Sequence, residues 1–95
     1  PFEVDVCCHK ILKLNKPLVE KGNRNLISDV GVAVLLAESA MLSAVLNVEI
    51  NLSYIKDEKF CQETREKLQP LVVESGELKS EICEKVKEAI GAVLI

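Results

Sequence analysis

Asp29, Asn47 and Asn51 are the polar groups set into the longest apolar run of the chain, SDVGVAVLLAESAMLSAVLNVEINL from Ser28 to Leu52. A polar group in such surroundings must find a partner or cost free energy, so these three are the first candidates for chemistry. An aspartate near a helix N-terminus has its anionic form favoured, which suits a base or a counter-ion to a cation better than a general acid. At ~100° per residue, Asp29, Ala33, Leu36, Ala40, Ser43, Asn47 and Asn51 fall on one helical stripe, with Glu38 opposite. Asp29 and Asn47 are then ~27 Å apart along the axis, too far to touch one reacting atom. Two copies of the helix packed antiparallel about a two-fold axis would bring Asp29 of one toward Asn47 and Asn51 of the other. The structural alternatives are an ordinary first-turn acid for Asp29 and buried amides that fix helix register for the asparagines.

Other candidates are weaker. His9 adjoins Cys7 and Cys8, but successive helical positions point about 100° apart and cannot converge on one ion, so no metal is expected. Lys21 and Arg24 precede a helix N-terminus and could receive a carboxylate or phosphate, though without a glycine-rich loop. Asn51-Leu52-Ser53 matches a glycosylation sequon, read as a chance match in the absence of a secretory signal.

The elements that must carry these residues are helical. The chain has 95 residues, 48% of them apolar, with two phenylalanines, one tyrosine and no tryptophan. An aliphatic core of this kind suits helices packed on helices. Net charge is −3 with both signs interspersed, so no basic stripe points to nucleic acid. Four cysteines without a C-x-x-C pair fit reduced, buried thiols in a cytosolic protein. The central run is long enough for a membrane span, but Asp29, Glu38 and Asn47 within it argue against one.

In chain order, PFEVDV alternates like a strand, but from Val4 a helix fits better, with Val4, Cys7, Cys8, Ile11, Leu14 and Leu18 as its apolar face. Pro1 suits a first turn, Pro17 predicts a kink or a new turn, and Lys21-Gly22 predicts the stop. Asn25 or Ser28 is expected to cap the central helix, which is apolar nearly all round and so expected to be buried. After a lapse at Ser53–Lys56, Asp57 caps a third helix. Its apolar face runs through Phe60, Thr64, Leu68, Leu71, Val72, Ser75, Leu78, Ile82, Val86, Ile90 and Val93, with a kink or break predicted near Pro70 and Gly76. The expectation is an all-α bundle of three to four helices with a long buried central helix, part of a larger dimeric bundle.

Residues 21–60, KGNRNLISDVGVAVLLAESAMLSAVLNVEINLSYIKDEKF, closely resemble the C-terminal half of the formimidoyltetrahydrofolate cyclodeaminase family, which includes methenyltetrahydrofolate cyclohydrolases. The matching blocks are Gly22-Asn23 with Asn25, Ser28-Asp29 with Val32-Ala33, Asn47-Val48 with Ile50-Asn51-Leu52, and Ile55 with Asp57-Glu58 and Phe60. Pro1 and Val4 look like the start of the preceding family helix. Family members are about twice this length and carry a Pro-Gly-Gly-Gly segment to which nothing here corresponds. Residues 1–95 are therefore expected to be the C-terminal part of a cyclodeaminase-like helical domain. The resemblance implies folate one-carbon chemistry on a tetrahydrofolate derivative, with no prosthetic group and with a homodimer built through the central helix. In the cyclodeaminase reaction one folate nitrogen attacks the formimidoyl carbon carried on another, ammonia leaves, and a cationic methenyl bridge remains; the cyclohydrolase adds water to that bridge. Asp29 would be the counter-ion or base. Asn47 and Asn51 would orient the pterin or hold the interface, Arg24 would meet the glutamate tail, and Asn23, Asn25 and Ser28 would join the substrate-binding set. The rival reading is a non-enzymatic helical dimerisation module.

Overall fold

The computed structural model describes residues 2–21 and 23–95, so the first-turn Pro1 and the Gly22 stop lie outside the described residues. Among the described residues three helices make up the fold: α1 (Phe2–Lys21), α2 (Arg24–Leu52) and α3 (Glu58–Ile90). They form an elongated bundle of 50 × 23 × 15 Å in which every pair of helices packs together. Ion pairs fix their directions. His9 and Lys16 of α1 meet Glu74 and Glu81 of α3, so these two run parallel. Glu38 and Glu49 of α2 meet Lys79 and Arg65 of α3, so α2 runs antiparallel to both.

The helix ends follow local chemistry. Asn23 holds an extended backbone and its Oδ1 accepts from the Leu26 amide at 2.9 Å, satisfying one of the free donors of the first turn of α2. The cap is thus Asn23, upstream of the expected Asn25 or Ser28. Asp57 caps α3 as expected, accepting from the Phe60 amide at 3.1 Å. Gly91 ends α3 in the left-handed region at φ 69°, its N–H returning to the Lys87 carbonyl. Neither proline ends its helix. Pro17 and Pro70 are exposed, as are Lys13 and Glu66, the residues whose carbonyls they leave without an amide partner, so water can take those carbonyls. α3 also runs unbroken through Gly76.

The core is divided in two. One apolar cluster joins Leu12 of α1 to Ile27, Val30, Val34 and Ala37 of α2 and Ile82 and Val86 of α3. The other joins Val48 and Leu52 to Cys61 and Leu68, with Phe2, Val45 and Val72 against it. Gly31 lets α2 and α3 approach, since a Cβ there would meet Val86 Cγ1 at 3.0 Å. α3 buries much of the face read from its sequence, including Leu68, Ser75, Ile82 and Val86, while Phe60 and Val93 stay exposed.

Two faces differ from expectation. Of the α1 positions read as apolar face, Cys8 alone is buried; Asp5, Cys8 and Leu12 point inward, while Val4, Cys7, Ile11, Leu14 and Leu18 are exposed. On α2 burial covers one side, Ile27, Val30, Gly31, Val34, Ala37, Met41, Ala44, Val48 and Leu52, whereas Val32, Leu35, Leu36, Leu42, Leu46 and Ile50 face outward.

Candidate functional site

Asp29 and Asn47 each lie nine positions from Glu38, which is half a rotation at ~100° per residue. Glu38 Oε1 pairs with Lys79 Nζ at 3.4 Å and so faces α3. Asp29 and Asn47 therefore point away from α3, and both are exposed, as is Asn51 one turn further on. The intervening stripe is open too: Leu36, Ala40 and Ser43 are exposed and Ala33 half-buried. Asp29 is the sixth residue of α2, past the first turn, which contains no acid. The helix dipole acts within the first turn, so with α2 beginning at Arg24 Asp29 lies beyond its main reach.

The polar residues at the start of α2 do not converge on Asp29. Asn23 is committed to the cap. The Arg24 guanidinium donates from Nη2 to the Ile90 carbonyl at 2.7 Å, tying the start of α2 to the end of α3. Ser28, about 100° around from Asp29, lines a groove between α2 and α3 with Gly31, Val32, Leu35, Cys83 and Val86. That groove offers about 140 Å³, against the ~300–1,000 Å³ of small-molecule sites. Asn25 is exposed. The structure thus brings Asn47 and Asn51 together and leaves Asp29 far from them along the same outward face.

That face continues onto α1. His9 and Lys16 face α3; Val4, Cys7, Ile11, Leu14 and Leu18 lie roughly 140–180° around the helix from His9. Their spacing of three, four, three and four residues is that of a coiled-coil seam, and all five are exposed. Cys7 is exposed, Cys8 is buried and His9 Nε2 sits 3.0 Å from Glu74 Oε2, so the three diverge. All four cysteines are free, and among the described residues no group of three or more His, Cys, Asp or Glu side chains could hold a metal ion.

The perturbed titrations lie elsewhere. Burial pushes the Asp5 carboxyl and the Cys8 and Cys83 thiols upward. The Arg65 hydrogen bonds, Nε to Glu49 Oε1 at 3.0 Å and Nη2 to Oε2 at 2.9 Å, hold Glu49 below the ordinary carboxylate range. Asp5 escaped the sequence reading because an acid in an amphipathic helix is assigned to the wet side. The available signal was its spacing from Cys8 and Leu12, three and seven positions on, which places it on their face.

The sequence profile of the formiminotransferase-cyclodeaminase family matches residues 1–70. The chain is 41% identical over 84 residues to a methenyltetrahydrofolate cyclohydrolase of Methylorubrum extorquens, covering 88% of this chain and 40% of that protein. It is 37% identical over 78 residues to a formimidoyltransferase-cyclodeaminase of Gallus gallus, covering 76% of this chain and 14% of that protein. The chain thus spans well under half the length of either relative. No solved structure matches the chain significantly.

Proposed function

Because this chain belongs to the formiminotransferase-cyclodeaminase family, we propose that it contributes to folate one-carbon metabolism, as part of a cyclodeaminase that releases ammonia or a cyclohydrolase that adds water to the methenyl bridge. The observation that carries the reading is the 41% identity to a cyclohydrolase across 88% of the chain. The outward stripe of α2 agrees with it, since Asp29, Asn47 and Asn51 are exposed on it.

In this reading Asp29 is the base or counter-ion. Both reactions pass through a tetrahedral carbon flanked by nitrogen, and both either form or discharge a delocalised cation, so an exposed carboxylate closed off by a partner would stabilise that cation electrostatically. Asn47 and Asn51 hydrogen-bond the pterin or the facing helix. The site is completed by a second copy. The stripe is centred on Ala40, eleven positions from both Asp29 and Asn51, so an antiparallel two-fold crossing at that small residue pairs Asp29 with the partner's amides. No prosthetic group is required, and the chain acts in the cytoplasm, off nucleic acid and membrane. By length and composition α2 could also cross a bilayer; the exposed Asp29, Asn47 and Asn51 argue for protein against that flank instead.

The test is Asp29→Asn in the full-length enzyme. Asp29 is exposed, so stability should change by less than about 0.5 kcal/mol, while turnover should fall at least ~100-fold, the lower range for loss of a general base or charge stabiliser. Unchanged turnover would remove Asp29 from the mechanism. Measuring ammonia against formyl-folate identifies which reaction is catalysed. The seam on α1 favours the second reading, a dimerisation module, which predicts self-association with no turnover in the full-length protein.

A further inference from the structure

The two apolar clusters are separated by a polar waist. On α1, Asp5 lies between Phe2 of one cluster and Leu12 of the other; on α3, Ser75 lies midway between Leu68 and Ile82; on α2, Met41 and Ala44 lie between Ala37 and Val48. Asp5 is 0% and Ser75 1% exposed. Neither Asp5 carboxyl oxygen nor Ser75 Oγ has a hydrogen-bond partner among the described residues. His9 Nε2, one turn beyond Asp5, has only its close contact with Glu74, which lacks hydrogen-bond geometry.

A positive charge at the start of the chain lowers the Asp5 titration, but burial, which raises it, is the larger effect. On α1 its neighbours are Cys8, a buried thiol, and His9, directed to Glu74 of α3. The buried positions of α2 are all apolar or glycine. The α2 charges on either side of this level, Glu38 and Glu49, are paired with Lys79 and Arg65 of α3. A buried carboxylate without a hydrogen-bond donor is disfavoured relative to the protonated acid.

We infer that Asp5 is carried as the neutral acid in the folded chain and that its ionisation unseats α1 from the α2–α3 pair, making the waist a pH-sensitive latch. The direction follows from linkage. A carboxyl whose folded titration is raised by burial contributes fully below the unfolded aspartate range, and its contribution is lost as pH rises through the folded value. The flank of α1 that would move carries the exposed seam from Val4 to Leu18. The latch does not depend on the folate reading, since it concerns the stability of the chain itself.

The experiment follows the Asp5 carboxyl carbon by NMR in the full chain, assigned through the backbone, together with thermal unfolding of the wild type and Asp5→Asn across pH 4 to 8. Expected are an Asp5 resonance that stays at the neutral-acid position above the ordinary aspartate range, and an advantage of Asp5→Asn over wild type that grows with pH. Asp5→Leu, which removes the ionisable group and matches the apolar neighbours, should show the same trend if the asparagine variant fails to fold. An Asp5 resonance that titrates in the ordinary range overturns the proposal, as does a wild-type-to-variant gap that is equal at pH 4 and pH 8.

Discussion

Gly31→Ala probes the closest approach between α2 and α3, and its cost can be worked from the distances. An added Cβ would meet Val86 Cγ1 at 3.0 Å and Val86 Cβ and Cγ2 at 3.7 Å. Alanine in a helix interior is worth ~0.5–1 kcal/mol more than glycine. The overlap works the other way: Val86 is buried in the core and cannot swing clear, and overpacking costs ~1–3 kcal/mol. The expected net loss is ~1 kcal/mol, or about 4–8 °C in melting temperature for a domain of this size. Val86→Ala alone removes two buried methyl groups and should cost ~2 kcal/mol. In the double variant the new methyl occupies the space that Val86 vacates and the overlap disappears, so the pair should cost only ~1–1.5 kcal/mol, a coupling of at least ~1.5 kcal/mol. Denaturant unfolding of the four proteins measures this cycle. Additivity within ~0.5 kcal/mol would refute the contact as the determinant of the α2–α3 distance. The outcome bears on the outward face, because the same segment of α2 that packs on Val86 presents Asp29 on its other side.

Two more expectations concern single interactions. Asn23→Ala should cost ~1 kcal/mol through loss of the cap on α2, with amide exchange rising first at Leu26. The Glu49 carboxyl should titrate below the ordinary range and return to it in Arg65→Gln. Because its folded value is depressed, the stability it contributes is present at neutral pH and is lost as pH falls through that value; NMR titration of the side chain checks both.

Much of the fold is legible in the residues, and the reasons differ by element. α3 was readable because polar and apolar positions segregate cleanly: Leu68, Ser75, Ile82 and Val86 share one face and charges fill the other. Its start was readable because Asp57 can cap and nothing nearby competes with it. The start of α2 was harder, since Asn23, Asn25 and Ser28 are all competent caps; the backbone chose Asn23, the choice that moved Asp29 out of the first turn. Pro17 and Pro70 signalled kinks or breaks; neither helix breaks at them, because both leave their orphaned carbonyls on the wet side.

What the sequence determined by itself was the set of helices, their apolar stripes and, through four ordered blocks of residues, the family. Periodicity reports which positions share a face, and chain identity reports ancestry; neither needs coordinates. What only the tertiary structure decided was which face goes inward. On α1 a regular seam of Val4, Cys7, Ile11, Leu14 and Leu18 looks like core, yet the helix is rotated so that Asp5, Cys8 and Leu12 are buried instead. On α2 the polar stripe that looked buried is open. The physical reason is that burial depends on the combined surfaces of all three helices. The ion pairs of His9 and Lys16 with α3 and the fit of Leu12 against Val34 and Ile82 set the rotation of α1 together, and no single helix encodes that sum.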